Sequence, residues 1–88
     1  MRITTYSNRY KKDIKRCASR GYDFGKLSAV FELIVNDQSL PDACRPHKLR
    51  GEYEGLWECH IAPDWLLIYE FPDDEQLVLR RTGTHADL

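Results

Sequence analysis

The stretch Trp57–Phe71 reads WECHIAPDWLLIYEF, and its reading decides the fold. Its first half alternates. In an extended chain Trp57, Cys59 and Ile61 fall on one side, and Glu58 and His60 fall on the other. Ala62-Pro63-Asp64 then makes a turn. Trp65–Phe71 follows as a nearly continuous apolar run of strand length, which suits a central strand covered on both faces. So short a connection implies antiparallel pairing. The turn therefore sets an imidazole, His60, and a carboxylate, Asp64, beside side chains that require burial.

The same logic extends outward. The acidic turn PDDEQ leads to a last strand at Leu77–Thr82, and TGTHADL trails from its end. At the other terminus Met1–Tyr6 alternates and is rich in β-branched residues, which predicts a short strand. Ser7 is placed to cap a helix whose apolar stripe is Tyr10, Ile14, Cys17 and Ala18, with Gly21 beyond its end. Asp23 can cap a second helix, striped by Leu27, Val30, Phe31, Ile34 and Val35. NDQSLPDACRP, with its turn formers and two prolines, reads as a loop. The expected class is α+β: two N-terminal helices packed on one face of a twisted antiparallel sheet, with the short N-terminal strand joining the sheet. The opposite face is then left open and polar, a natural place for a site.

Bulk properties narrow the function. The chain has 88 residues, the size of one domain spanning 1–88. Its three cysteines are widely spaced with no CxxC pair, so reduced thiols are expected rather than a disulfide framework. No apolar run approaches the roughly 20 residues that span a bilayer. No apolar leader follows Met1, and the expected compartment is the cytoplasm. The net charge is −1, but residues 1–20 hold seven basic groups against Asp13 alone. Such a local field can steer an anionic partner, although on composition alone a merely solvated helix face is the favoured reading.

Chemistry concentrates in the second half, where all three histidines lie. His60 and Asp64 flank one turn, His85 follows the last strand, and His47 opens the segment HKLRG. Cys59 and His60 are strand neighbours on opposite faces and do not ligate one ion easily, and no HxxxH, GxSxG or P-loop spacing occurs. Neither a metal nor another cofactor is expected. Acid–base chemistry remains. Cleavage of RNA needs a base for the 2′-hydroxyl proton, an acid for the departing 5′ oxygen and cations for the charge on phosphorus. Imidazole serves either proton role near neutral pH. Asp64 can orient an imidazole or act as a base, and Arg81 or Arg50 can hold the phosphate.

In combination, HKLRG, WECHIAPDWLLIYEF and LRRTGTHADL resemble the YafQ-like branch of the RelE/ParE toxin superfamily, the toxins of bacterial type II toxin–antitoxin systems. The resemblance spans essentially the whole chain. It implies a RelE-like, microbial-RNase-like fold and a ribosome-dependent endoribonuclease (an mRNA interferase) that cuts message in the ribosomal A site. It places the catalytic pattern on His47, His60, Asp64 and His85, with Glu58 and Trp65 in support. It also implies a cognate antitoxin as partner, with DNA engaged only through that antitoxin. Lys11, Lys12, Lys15 and Arg16 would then contact ribosomal RNA phosphates. Trp57 departs from the pattern, standing where a basic residue is common. A gyrase-directed or non-catalytic toxin acting by binding is the alternative on the same fold.

Overall fold

The computed structural model describes residues 1–88. Its elements are β1 (Ile3–Tyr6), α1 (Asn8–Ser19), α2 (Phe24–Val35), β2 (His47–Lys48), β3 (Trp57–Ala62), β4 (Trp65–Glu70) and β5 (Gln76–Gly83), with single 3₁₀ turns at Asp42–Cys44 and Gly51–Tyr53. The strands form one sheet in the order β1-β5-β4-β3-β2. Strands β2 to β5 pair antiparallel, with short turns joining β3 to β4 and β4 to β5, as expected. β1 instead pairs parallel to β5, which makes the sheet mixed. The two helices after β1 carry the chain to β2 at the opposite edge of the sheet, so no tight turn links β1 to β5 and none imposes an antiparallel return.

Local chemistry sets the helix limits. Ser7 Oγ accepts from the Tyr10 amide at 3.0 Å, and Asp23 accepts from the Gly25 amide at 2.9 Å. Gly21, at φ +75°, takes the left-handed conformation that ends α1. One face of the sheet presents Cys59, Trp65, Leu67, Tyr69, Leu77 and Leu79 to Tyr10 and Cys17 of α1 and to Leu27, Val30, Ile34 and Val35 of α2. Leu66 and Ile68 point the other way yet are also buried, so β4 is covered on both faces. All three cysteines are free and buried, and burial pushes the Cys59 thiol up to about 12.

One member of the expected α1 stripe is absent from it. Ala18 is exposed, and Asp13 is buried at 1% exposure. The cause is an unfinished sheet edge. β1 pairs only as far as Leu79, so the rest of β5 has no strand beside it. Residues of the α1 segment take over. Ser7 Oγ donates to the Arg80 carbonyl at 2.6 Å, and Asp13 Oδ2 accepts from the Thr82 amide at 3.1 Å. Asp13 also accepts from Arg81 Nε at 2.7 Å and Nη2 at 3.3 Å. A buried carboxylate persists only when its acceptor sites are filled in this way.

A second carboxylate fastens the segment after β5. Asp87 accepts from Arg20 Nη1 at 2.6 Å and Nη2 at 3.1 Å, and from the Thr84 amide at 3.0 Å. This close return depends on Gly83, at φ +150°, where an added Cβ would stand 2.8 Å from Asp87 Oδ2.

Replacing Asp13 by Ala strands the Arg81 guanidinium and the Thr82 amide together. We expect a loss of about 3 kcal/mol or more in urea unfolding, the scale for breaking a buried ion pair from one side. The exposed Lys12→Ala change should stay within about 0.5 kcal/mol of the parent.

Candidate functional site

Pairing register lays the site out in rows on the open face. His47 pairs with Glu58, Glu58 with Ile68, and Ile68 with Arg81, so four strands contribute one row. The adjoining row runs from His60 through Leu66 to Gly83. His85 lies two residues past the end of that row. Glu58 and His60 share this face because side chains alternate along β3, and they stand about 7 Å apart along the strand.

His60, Asp64 and His85 come together at one end of the sheet. Asp64 Oδ1 accepts twice from His85, from the backbone amide at 3.1 Å and from ring Nδ1 at 2.6 Å. These bonds hold the Asp64 carboxyl below its ordinary value. With Nδ1 committed to the carboxylate, Nε2 is the nitrogen left to meet a substrate. Both side chains are about two-thirds exposed, so the contact orients the ring more than it stabilises the fold. The His60 ring lies 5.9 Å from the His85 ring, centre to centre, and is tilted by 48°. Two imidazoles at this separation can address one group between them.

His47 stands farther along the open face, at the β2 edge. Its Nδ1 faces the Arg45 carbonyl at 3.0 Å, and its Nε2 faces Glu58 Oε1 at 3.3 Å. Both ring nitrogens thus face oxygen, and both hydrogen bonds form together only on the charged ring. Glu58 acts here as the orienting partner of His47.

The other expected residues fall in varied places. Trp65 is buried on the helix side. Its Nε1 donates to Thr82 Oγ1 at 2.9 Å, and Thr82 Oγ1 donates to the Leu66 carbonyl at 2.6 Å, so Trp65 ties β4 to β5 from behind. Arg81 commits Nε and Nη2 to Asp13 and the Asp87 carbonyl, and Asp13 raises its already high value. Arg50 is exposed beside His47 and Lys48 in a cleft at the β2 edge. Lys11, Lys12 and Lys15 are exposed on α1. Arg16 is half-buried, 3.3 Å from Asp13 and 3.7 Å from Asp87, so it turns inward. Trp57 stacks on Tyr69 at 6.5 Å on the helix side, so it removes nothing from the open face.

Residues that sequence reasoning passed over matter as much. Arg9 and Arg80 border the cavity on the open face, beside the expected Arg81. Strict alternation would separate Arg80 from Arg81. A bulge in β5, where Tyr69 pairs with Leu79 but Ile68 pairs with Arg81, brings them to the same side. The doubled arginine in LRRTG was the available sign. Asp13 and Asp87 offered none, because each reads as a surface acid.

No group of three or more His, Cys, Asp or Glu residues is placed to hold a metal ion. No helix is long and apolar enough to cross a membrane.

Comparison with known proteins gives the family and the fold. Residues 2–88 match the family described as "Bacterial toxin of type II toxin-antitoxin system, YafQ". The chain is 40% identical over 84 residues to the mRNA interferase toxin YafQ of Escherichia coli K12, covering 94% of this chain and 90% of that protein. Its fold superposes on the toxin in the E. coli DinJ–YafQ toxin–antitoxin complex with a TM-score of 0.90 at 40% identity, covering 99% and 96% of the two chains. It also superposes on a metal-bound toxin from Helicobacter pylori with a TM-score of 0.93 at 32% identity, covering 100% and 99%.

Two outcomes follow from the carboxylates. In ¹⁵N spectra of the neutral ring, His85 should hold its proton on Nδ1, and Asp64→Asn should bring a mixture of tautomers. An unchanged His85 signal in Asp64→Asn would show that the contact does not fix the ring. Arg20 holds the Asp87 carboxyl well below its ordinary 3.8. Its stabilising effect is therefore present above that value and fades as pH falls toward the lower folded value. Asp87→Asn should flatten the acid limb of a thermal-stability profile measured below about pH 4.

Proposed function

The chain belongs to the YafQ toxin family of type II toxin–antitoxin systems, and on that premise we propose how this single domain works. It is an mRNA interferase, an endoribonuclease toxin. We assign its chemistry to acid–base catalysis at the end of the sheet where His60, Asp64 and His85 meet. Asp64 fixes the His85 ring, and His85 acts through Nε2. His60 and His85 divide the two proton transfers, one taking the proton of the 2′-hydroxyl and the other supplying the 5′ oxygen. His47, oriented by Glu58, faces the charge that builds on phosphorus. The observation that carries this assignment is the 2.6 Å contact between His85 Nδ1 and Asp64 Oδ1, with the His60 ring 5.9 Å away.

The substrate is message presented in the ribosomal A site. With the ribosome positioning the message, the chain needs no extended RNA groove of its own. Lys11, Lys12 and Lys15 supply an exposed basic stripe on α1 for ribosomal RNA phosphates, and Arg50 adds a cation at the β2 edge. The ribosome then positions the strand that the protein cuts, which places the activity in the cytoplasm. A cognate antitoxin is the second partner, and DNA is reached only through it.

The test is translation-coupled primer extension. His85→Ala should lower cleavage by about 10² to 10⁴-fold, the usual worth of a positioned acid or base. Asp64→Asn should cost less, since the imidazole remains. Equal cleavage by the parent and His85→Ala would remove the proposed mechanism.

A further inference from the structure

The open face holds a cavity of about 590 Å³ that no proton-transfer role explains. Its size falls within the ~300–1,000 Å³ typical of small-molecule sites. Ile68 forms its floor, and Glu58 borders both this cavity and the histidine row. The two walls differ in kind. On the α1 and β5 side stand Arg9, Arg80 and Arg81. On the other side stand Leu49, Leu56, Glu52 and Tyr53, the last two on the Gly51–Tyr53 turn.

Each wall has groups free to act. Arg9 is exposed, and Arg80 has only a long 3.5 Å contact to Glu70. Tyr53 is a large side chain left 54% exposed. Glu52 is exposed, whereas Glu58 is taken up by His47. A cationic wall facing an aromatic and acidic wall matches the two ends of a nucleotide. Phosphate seeks guanidinium. A base stacks on an aromatic ring, and a carboxylate accepts from base N–H groups while repelling phosphate.

We propose that this cavity is a subsite for one unstacked nucleotide of the substrate strand. Tyr53 stacks on the base, Glu52 accepts from its N–H groups, and Arg9 and Arg80 hold the adjoining phosphate. Glu52 makes the subsite selective. Adenine and cytosine offer an amino group, and guanine offers an amino group and a ring N–H. Uracil flanks its single N–H with two carbonyl oxygens that repel a carboxylate. The subsite therefore favours the three amino-bearing bases over uracil. This inference rests on the assignment of RNA as substrate.

The experiment is an NMR titration of the isolated chain with adenosine 5′-monophosphate and, separately, uridine 5′-monophosphate. The adenine nucleotide should shift the Tyr53 ring and the Arg9 and Arg80 signals, and should bind more tightly than the uracil nucleotide. Tyr53→Phe should keep this affinity. Tyr53→Ala should weaken it about tenfold, as expected for loss of one base stack. Glu52→Gln should bring the two nucleotides toward equal affinity. Cavity signals that ignore both nucleotides, or that respond only to the antitoxin, would overturn the proposal. So would Tyr53→Ala binding as the parent does, or a preference for adenine unchanged in Glu52→Gln. The readout is separate from catalysis. Nucleotide binding without message cleavage would defeat the nuclease assignment and leave the subsite standing; cleavage with a silent cavity would do the reverse.

Discussion

The Asp13 carboxylate is the constraint on which the rest of the structure depends. A four-residue first strand cannot pair with the full length of an eight-residue last strand, and the sheet would end in exposed backbone. Asp13 closes that gap from a helix, accepting from the Thr82 amide and from the Arg81 side chain. Bare strand edges invite association with other chains, and covering them is a general requirement of β-sheet proteins. Here the cover also aims the chain. Thr82 is the last point at which β5 is gripped from both sides, by Asp13 through its amide and by Trp65 and Leu66 through its hydroxyl. The segment bearing His85 departs from that point.

From there a relay of carboxylates brings His85 into place. Asp87, held by Arg20, bends the chain back over Gly83, and Asp64 accepts both the amide and the ring nitrogen of His85. A bend fixed on one side and an imidazole fixed on the other leave the ring little freedom. Catalysis by positioned acids and bases requires that economy, because groups set in advance need no reorganisation as the reaction proceeds. The protein spends its charged side chains on order near the site. Arg16 and Arg81 face inward to carboxylates, Arg20 pairs with Asp87 at the surface, and the exposed lysines of α1 remain for an anionic surface.

Much of this was legible in the sequence. Alternation over Trp57–Ile61, followed by an unbroken apolar run, gave the central hairpin and put Glu58 and His60 on one face. The proline turn gave the proximity of His60 and Asp64. Ser7 and Asp23 marked the helix starts. What the sequence hid was tertiary. No local rule distinguishes a buried Asp13 from a solvated acid among lysines, because its burial depends on a strand 69 positions away. The bulge that brings Arg80 and Arg81 to one cavity breaks the two-residue period on which strand reading relies. Arg16, taken as a surface cation, turns inward for the same reason that Asp13 is buried. Trp65 was expected in a supporting position, and the partner of its indole, Thr82, lies 17 residues away on another strand.

The central claim is that His60 and His85, carried by distant parts of the chain, address one phosphate. A structure of this chain on the ribosome, with the A-site codon 2′-O-methylated to block cleavage, tests it most directly. The account predicts a single phosphate within hydrogen-bond reach of His85 Nε2 and of the His60 ring, with the His85–Asp64 contact intact. A bound codon whose phosphates touch only one of these imidazoles, or neither, would contradict it.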